Sequence, residues 1–286
     1  MPELSQAERD TRHEGMGSTD VVEVCGLSPW DGAGPWRVYN AKIGITQPSE
    51  PTPEQKWGHW QESLILDWYR ATVSQDIIPA GHIPSDDHPW LWATLDAVRL
   101  GQSRNIEVKN VGAPSMYRHW DTSDGGGIPQ YVRAQVQIGM HVRHVKECDV
   151  VAAIGGRPPH VWTIGYDAEL AGMLIDRASA FWTLVRNRTP PPPDDSDAVR
   201  EYLRAKYPKD EREMIVCPPE LEEVAAVRIA AAIQEVKSVK ARREADALLM
   251  TRLGDARGFE GDGWSFTWKC DKNGKRATRF TVRGDS

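Results

Sequence analysis

Cysteine is scarce in this chain, and none of it is paired in the sequence. Cys25, Cys148, Cys217 and Cys270 are scattered without a C-x-x-C, so neither a zinc site nor a disulfide framework is indicated, and a reduced compartment fits. Long apolar runs are missing as well. No stretch of ~18 apolar residues occurs, and the opening MPELSQAERDTRHEG holds no apolar segment of the signal-peptide kind. The expectation is a soluble, cytoplasmic protein with no membrane partner. Nor is there a surplus of positive charge: 35 Lys and Arg stand against 41 Asp and Glu, a net −6. That excludes a surface coated in base and confines any polyanion binding to a local groove.

What the chain does have is material for a sizeable core. Of its 286 residues 40% are hydrophobic, with twelve tryptophans, enough for one or two domains. Its most informative stretch is PWLWATLDAVRLGQSRNIEVKN, ending at Asn110. Alternation from Ala93 to Val98, a turn at Gly101-Gln102-Ser103 and β-branched residues around Glu107 and Lys109 predict a hairpin, with Asp96 and Glu107 on adjacent strands. A period of two puts Glu107 and Lys109 on one face and Val108 in the opposite layer. Two carboxylates and an ammonium then converge. Carboxylate oxygens bind a hard cation such as Mg²⁺, which polarises a phosphate and lowers the pKa of water, while a lysine steadies developing negative charge. Taken alone, the same residues also read as a surface salt bridge across a hairpin.

Around this stretch the pattern gives a helix from Asp20 to Gly26 after the Gly17-Ser18-Thr19 turn, and another from Glu54 to Arg70. In the second, Trp60, Leu64 and Trp68 are expected as the buried stripe, with Glu62 near the core edge. Ile77 to Trp90, with His82, Asp86, Asp87 and His88, reads as loop or short strand, and Gly112 to Gly127 as a glycine-rich lip. Pro129 opens a helix to about His141 that turns Tyr131 and Gln135 to one side. Strands at Cys148–Ile154 and His160–Tyr166 form a hairpin, and a helix follows from Ala168 to Arg186. Pro190–Pro193 and Asp194-Asp195-Ser196-Asp197 then break the chain. Beyond lie a nearly breaker-free helix from Glu220 to Leu253, long enough to suggest a partner or oligomer, and a basic, aromatic hairpin at Gly261–Val282.

Asp96, eleven residues, then Glu107-Val108-Lys109 resembles the PD-(D/E)XK nuclease signature, with Leu95-Asp96 in place of Pro-Asp. The flanks sharpen this: Gly17-Ser18-Thr19-Asp20, Gly26-Leu27-Ser28-Pro29-Trp30, Lys42-Ile43-Gly44, Glu62, Ile128-Pro129-Gln130-Tyr131 and Gln135-Val136-Gln137. In that order they look like the YqaJ-type viral recombinases, relatives of phage lambda exonuclease, over roughly residues 12–186.

The resemblance implies an α/β fold with a restriction-endonuclease-like core, a central mixed sheet flanked by helices, extended by a C-terminal long helix and β-hairpin. The nuclease core would span 1–188, a Pro/Asp linker 189–197 and the extension 198–286. The implied activity is a Mg²⁺-dependent DNA exonuclease, with Mn²⁺ able to substitute, working 5′ to 3′ on double-stranded ends to make single strands for recombination. Asp96, Glu107 and the Val108 carbonyl would hold metal, with Glu62 on a second metal or its waters. Lys109 and Gln135 would manage the attacking water, and Ser18, Tyr131 and Gln137 are further candidates. Arg12 precedes Thr19 by seven residues, the spacing at which relatives place an arginine and a small hydroxyl residue on a terminal 5′ phosphate. Implied partners are duplex DNA ends, a single-strand annealing protein and other copies in a ring of three or four; a phage-borne gene would place the protein in the host cytoplasm. An endonuclease or nickase on the same fold, and a DNA-end-binding scaffold without catalysis, are the alternatives.

Overall fold

The computed structural model describes residues 11–46, 50, 52–112, 120, 127–210, 214–272 and 274–282, with backbone alone at 11, 12, 54 and 55. The chain divides into two compact units, Met1–Lys209 and Asp210–Ser286. Most of the expected lip at 112–127 lies outside the described residues.

In the first unit a 3₁₀ turn (Thr11–Glu14) leads to β1 (Met16–Gly17), α1 (Ser18–Val24), α2 (Pro35–Lys42) and α3 (Pro53–Thr72). Three strands follow in succession, β2 (Ile77–Pro84), β3 (Leu91–Arg99) and β4 (Arg104–Val111). Then come α4 (Gln130–Arg143), β5 (Glu147–Ile154), β6 (His160–Gly165), α5 (Ala168–Arg186) and α6 (Asp197–Lys206). Among the described residues the strands make one six-stranded mixed sheet in the order β1-β3-β4-β5-β6, with β2 also on β3. The central pair, β4 and β5, is parallel from Arg104↔Glu147 to Val111↔Ile154, which requires a crossover, and α4 lies within it. Helices cover both faces, as the sequence leads one to expect. Ala134 and Ile138 of α4 and Leu174, Ala178 and Phe181 of α5 pack with Leu95 in one core cluster. On the other face Ile65, Leu66 and Tyr69 of α3 pack on Ile106 and Val108 of β4.

The expected stripe on α3 is corrected. Trp60 and Leu64 are 69% and 68% exposed, and the buried face is Ile65, Leu66 and Tyr69. Two apolar faces with helical spacing exist on this helix, and the sheet takes the one whose residues fit beneath β4. Tyr69 donates to the buried Asp149 at 2.5 Å, and Arg104 and Thr163 also bond that carboxylate, so a polar network fixes α3 on the sheet. Residues 77–84, left open between loop and strand, form a full partner of β3, from Ile77↔Arg99 to Pro84↔Trp92.

The first unit also continues past the Pro/Asp stretch that marks the boundary in the sequence. Trp36 donates its indole N–H to the Pro192 carbonyl at 2.7 Å, the buried Asn40 donates to the Ala198 carbonyl at 2.7 Å, and Tyr202 of α6 packs its ring against Trp36 and Tyr39. Extended prolines here lay chain along α2, so α6 belongs to the first unit.

The second unit holds a 3₁₀ turn (Pro219–Leu221), α7 (Glu222–Leu253), and a sheet of β7 (Gly258–Gly261), β8 (Trp264–Cys270) and β9 (Arg276–Val282). β7 is an addition to the expected hairpin. Its two glycines hide it from a propensity reading, yet a Cβ on Gly261 would lie 2.3 Å from the Trp264 ring, so the strand can approach only without side chains there. No described helix is long and apolar enough to cross a membrane.

Candidate active site

The site lies where two strands stop pairing. β4 pairs with β3 only from Arg99↔Arg104 to Ala97↔Ile106, and β1 takes the same edge of β3 farther along, at Leu91 and Trp92. Between them residues 93–96 have no ladder partner on that edge. Asp96 fills the gap: its Oδ2 accepts the Val108 backbone N–H at 2.6 Å, satisfying a donor that the diverging strands leave unpaired. The approach of β1 rests on small residues, since a Cβ on Gly15 would sit 2.3 Å from the Trp90 carbonyl and one on Gly17 2.9 Å from the Trp92 indole nitrogen.

Glu107 follows on β4 with 4% of its surface exposed, and Asp96 has 5%. Lys109, two residues on and on the same face, donates to Glu107 Oε1 at 2.5 Å and to Gln135 Oε1 at 3.0 Å. Gln135 in turn donates through Nε2 to Glu107 Oε1 at 2.7 Å. The helix α4 therefore locks the acid and the lysine into a closed triangle. Burial, and next the charge of Glu107, push the Asp96 carboxyl well above the usual carboxylate range. Burial alone would lower the Lys109 pKa, but Glu107 and Asp96 outweigh it and push the ammonium up to about 12. Lys109 is thus a fixed cation and a hydrogen-bond donor.

A cavity of about 180 Å³ joins these groups to the β1–α1 turn; Gly17, Ser18, Thr19, Asp20, Glu62, His82, Trp92, Thr94 and Val108 complete its lining. Ser18 and Thr19, at the start of α1, thus face the same space as the carboxylates. Asp20 accepts from the Gly17 N–H at 2.9 Å and from the Lys42 ammonium at 2.7 Å. Glu62 reaches the cavity from α3 and bonds the His59 ring at 3.2 Å.

Other expected residues fall elsewhere. Arg12 belongs to the 3₁₀ turn before β1, and its side chain is outside the described residues. Tyr131 is half-buried beside Lys109, whose charge opposes the rise that burial gives its phenol. Gln137 is a correction: it donates to the Gly165 carbonyl at 2.9 Å and accepts the Asp167 N–H at 2.8 Å, so its amide ties α4 to the end of β6. His82, Trp92 and Thr94 were passed over. The period of two that joins Trp92, Thr94 and Asp96 was the available signal, and the β-branched run before His82 was another.

The donor set was tested against a divalent cation. Among the described residues no three His, Cys, Asp or Glu side chains form a ready-made metal cluster. The groups present are two buried carboxylates and a backbone carbonyl beside a cavity that can admit water, and all are hard oxygen donors of the kind Mg²⁺ takes, leaving its other positions to water and substrate. Two adjacent carboxylates against one ammonium leave the pocket short of positive charge, and a cation would relieve the repulsion that raises Asp96.

Residues 9–146 match the model of the YqaJ-like viral recombinase domain. No curated protein matches the chain. Among solved structures, an alkaline exonuclease from Laribacter hongkongensis, LHK-Exo, aligns with a TM-score of 0.53 at 17% identity, covering 71% of this chain and 97% of that one. The same protein in complex with dAMP gives 0.54, with the same identity and coverage. At that identity the likeness shows a common fold.

Proposed function

We propose that the YqaJ-like viral recombinase domain of this chain is a metal-dependent deoxyribonuclease that works 5′ to 3′ from the ends of double-stranded DNA and supplies single strands for recombination. The observation that carries the reading is the closed arrangement of Asp96, Glu107, Lys109 and Gln135 beside a hydrated cavity, at the one place where β3 and β4 diverge. The exonuclease activity named for LHK-Exo, on the same fold, points the same way.

Asp96, Glu107 and the Val108 carbonyl would hold Mg²⁺, or Mn²⁺ in its place, and Glu62 would hold a second ion or its waters. When bound, the cation polarises a phosphate oxygen and makes water a better nucleophile at neutral pH. The side chains of the protein do the positioning. Lys109, kept charged by two carboxylates, donates to the attacking water or to the phosphate as negative charge builds. Gln135 fixes the lysine and Glu107 in register with α4. Hydrolysis needs no covalent enzyme intermediate.

Thr19 on the cavity wall and Arg12 just before β1 would hold a terminal 5′ phosphate, a guanidinium fork and a hydroxyl being suited to that anion. Partners in this reading are duplex ends, a single-strand annealing protein and further copies of the chain in a ring of three or four, since encircling DNA is one way an acidic protein stays bound; the compartment is the cytoplasm. The test compares linear with covalently closed duplex, each with Mg²⁺ and with chelator. Cleavage of linear DNA alone, dependent on Mg²⁺, is expected. Cleavage of both forms would make it an endonuclease, and of neither a scaffold.

A further inference from the structure

The long helix of the second unit lacks the packing that its length demands. α7 runs 32 residues, ~48 Å, and among its large apolar side chains only Leu253 is buried. Val224, Val227, Ile229, Ile233, Val236 and Leu248 are 52–70% exposed. Helices in proteins draw most of their stability from covering an apolar face. A solvated helix can rely instead on ion pairs one turn apart, yet among the described residues Lys240–Glu244, at 3.9 Å, is the one such pair along α7. The helix is short of partners for its apolar and its charged side chains alike.

Its charge pattern says what the partner is. From Glu222 to Val236 there are three acids and one base, and from Lys237 to Leu253 five bases and two acids. Bias of this sign at the two ends suits the helix dipole, but that effect is confined to the first and last turns, whereas here the bases begin at the midpoint. Such a helix complements itself when reversed. We propose that α7 pairs antiparallel with α7 of a second copy, about a two-fold axis at the helix midpoint between Lys237 and Ser238.

That axis sets Val236 level with Val239 of the second copy, Val227 with Leu248, Glu235 with Lys240 and Glu223 with Arg252. Val236, Val239, Glu235 and Lys240 already border one shallow groove on the helix. A two-fold contact is isologous, so each complementary pair is made twice. A parallel pair would set base against base along half the length, and a partner of single-signed charge would repel one half of α7.

The test is the mass of the full chain in solution by light scattering. At micromolar concentration it is expected at twice the 32.0 kDa of the chain, about 64 kDa, or a whole multiple of that. Val236→Glu places two carboxylates at the axis and should weaken pairing by roughly a hundredfold, leaving 32.0 kDa. Glu235→Lys should weaken it by about tenfold, and adding Lys240→Glu should restore it, a rescue specific to this contact. A monomeric wild type, a three-copy mass, a Val236→Glu chain of unchanged mass, or failure of the rescue overturns the pairing. Cleavage of a short linear duplex by the same variants reports separately on the nuclease reading, because no substituted residue lies in the first unit.

Discussion

Replacing Asp96 by asparagine should separate what the carboxylate does for catalysis from what it costs the fold. The amide oxygen can still accept the Val108 N–H, now 2.6 Å from Asp96 Oδ2, so the divergence of β3 and β4 is kept. What is lost is one negative charge in a pocket that also holds Glu107 and a single ammonium. A ligand to a catalytic cation is worth several kcal/mol in the transition state; about 4 kcal/mol corresponds to roughly a thousandfold loss of rate. Stability should move the other way. Relieving a buried, incompletely compensated charge gives about 1–2 kcal/mol, or about 2–8 °C in Tm for a unit of this size. The pH dependence has a definite sign. Asp96 has a raised pKa in the folded state, so the stability linked to its protonation is present in acid and is lost as pH rises through the folded value. The variant has no such loss. Its Tm advantage, measured by calorimetry in chelator from acid to neutral pH, should therefore grow with pH, and Mg²⁺ should shrink it by stabilising only the wild type. A variant that cleaves normally, or whose Tm advantage falls as pH rises, would refute the reasoning.

Lys109→Met should lower cleavage of linear duplex with a smaller loss than Asp96→Asn, because the cation still activates water; an equal loss would make the lysine indispensable to the step. Arg12→Ala should erase the preference for 5′-phosphorylated over 5′-hydroxyl ends, on the order of 1.5–3 kcal/mol for a bond to a charged group, and an unchanged ratio of the two rates removes support for the phosphate pocket. A chain ending at Lys209 should stay folded and cut DNA, whereas one ending at Arg188 loses the partners of Trp36 and Asn40 and should be less stable by about 2–4 kcal/mol, read by urea unfolding. Tyr69→Phe removes the buried bond to Asp149 and should lower stability by about 1–3 kcal/mol while sparing the cleavage rate.

The spacing of Asp96, Glu107 and Lys109 was readable from the sequence because strand period is local: alternate side chains share a face whatever the strand packs against. So were the helices flanking a mixed sheet and the tight turns, which depend on apolar period and on residues such as Gly101. Which of two helically spaced faces α3 buries was not local. Trp60 and Leu64 are as apolar as Ile65 and Leu66, and only the shape of the sheet beneath β4 selects between them. The Pro/Asp stretch looked like a linker because prolines favour extended chain, and extended chain is equally able to lie along α2. Gln137 matched the expected pattern as well as Gln135 did, yet the positions differ by about 200° around α4, and tertiary contact alone decides that one meets Glu107 and Lys109 while the other meets Gly165 and Asp167. The cavity itself belongs wholly to the tertiary structure: it opens where β4 and β1 share one edge of β3 without meeting, and register between distant strands is set by packing, which no single segment of the chain contains.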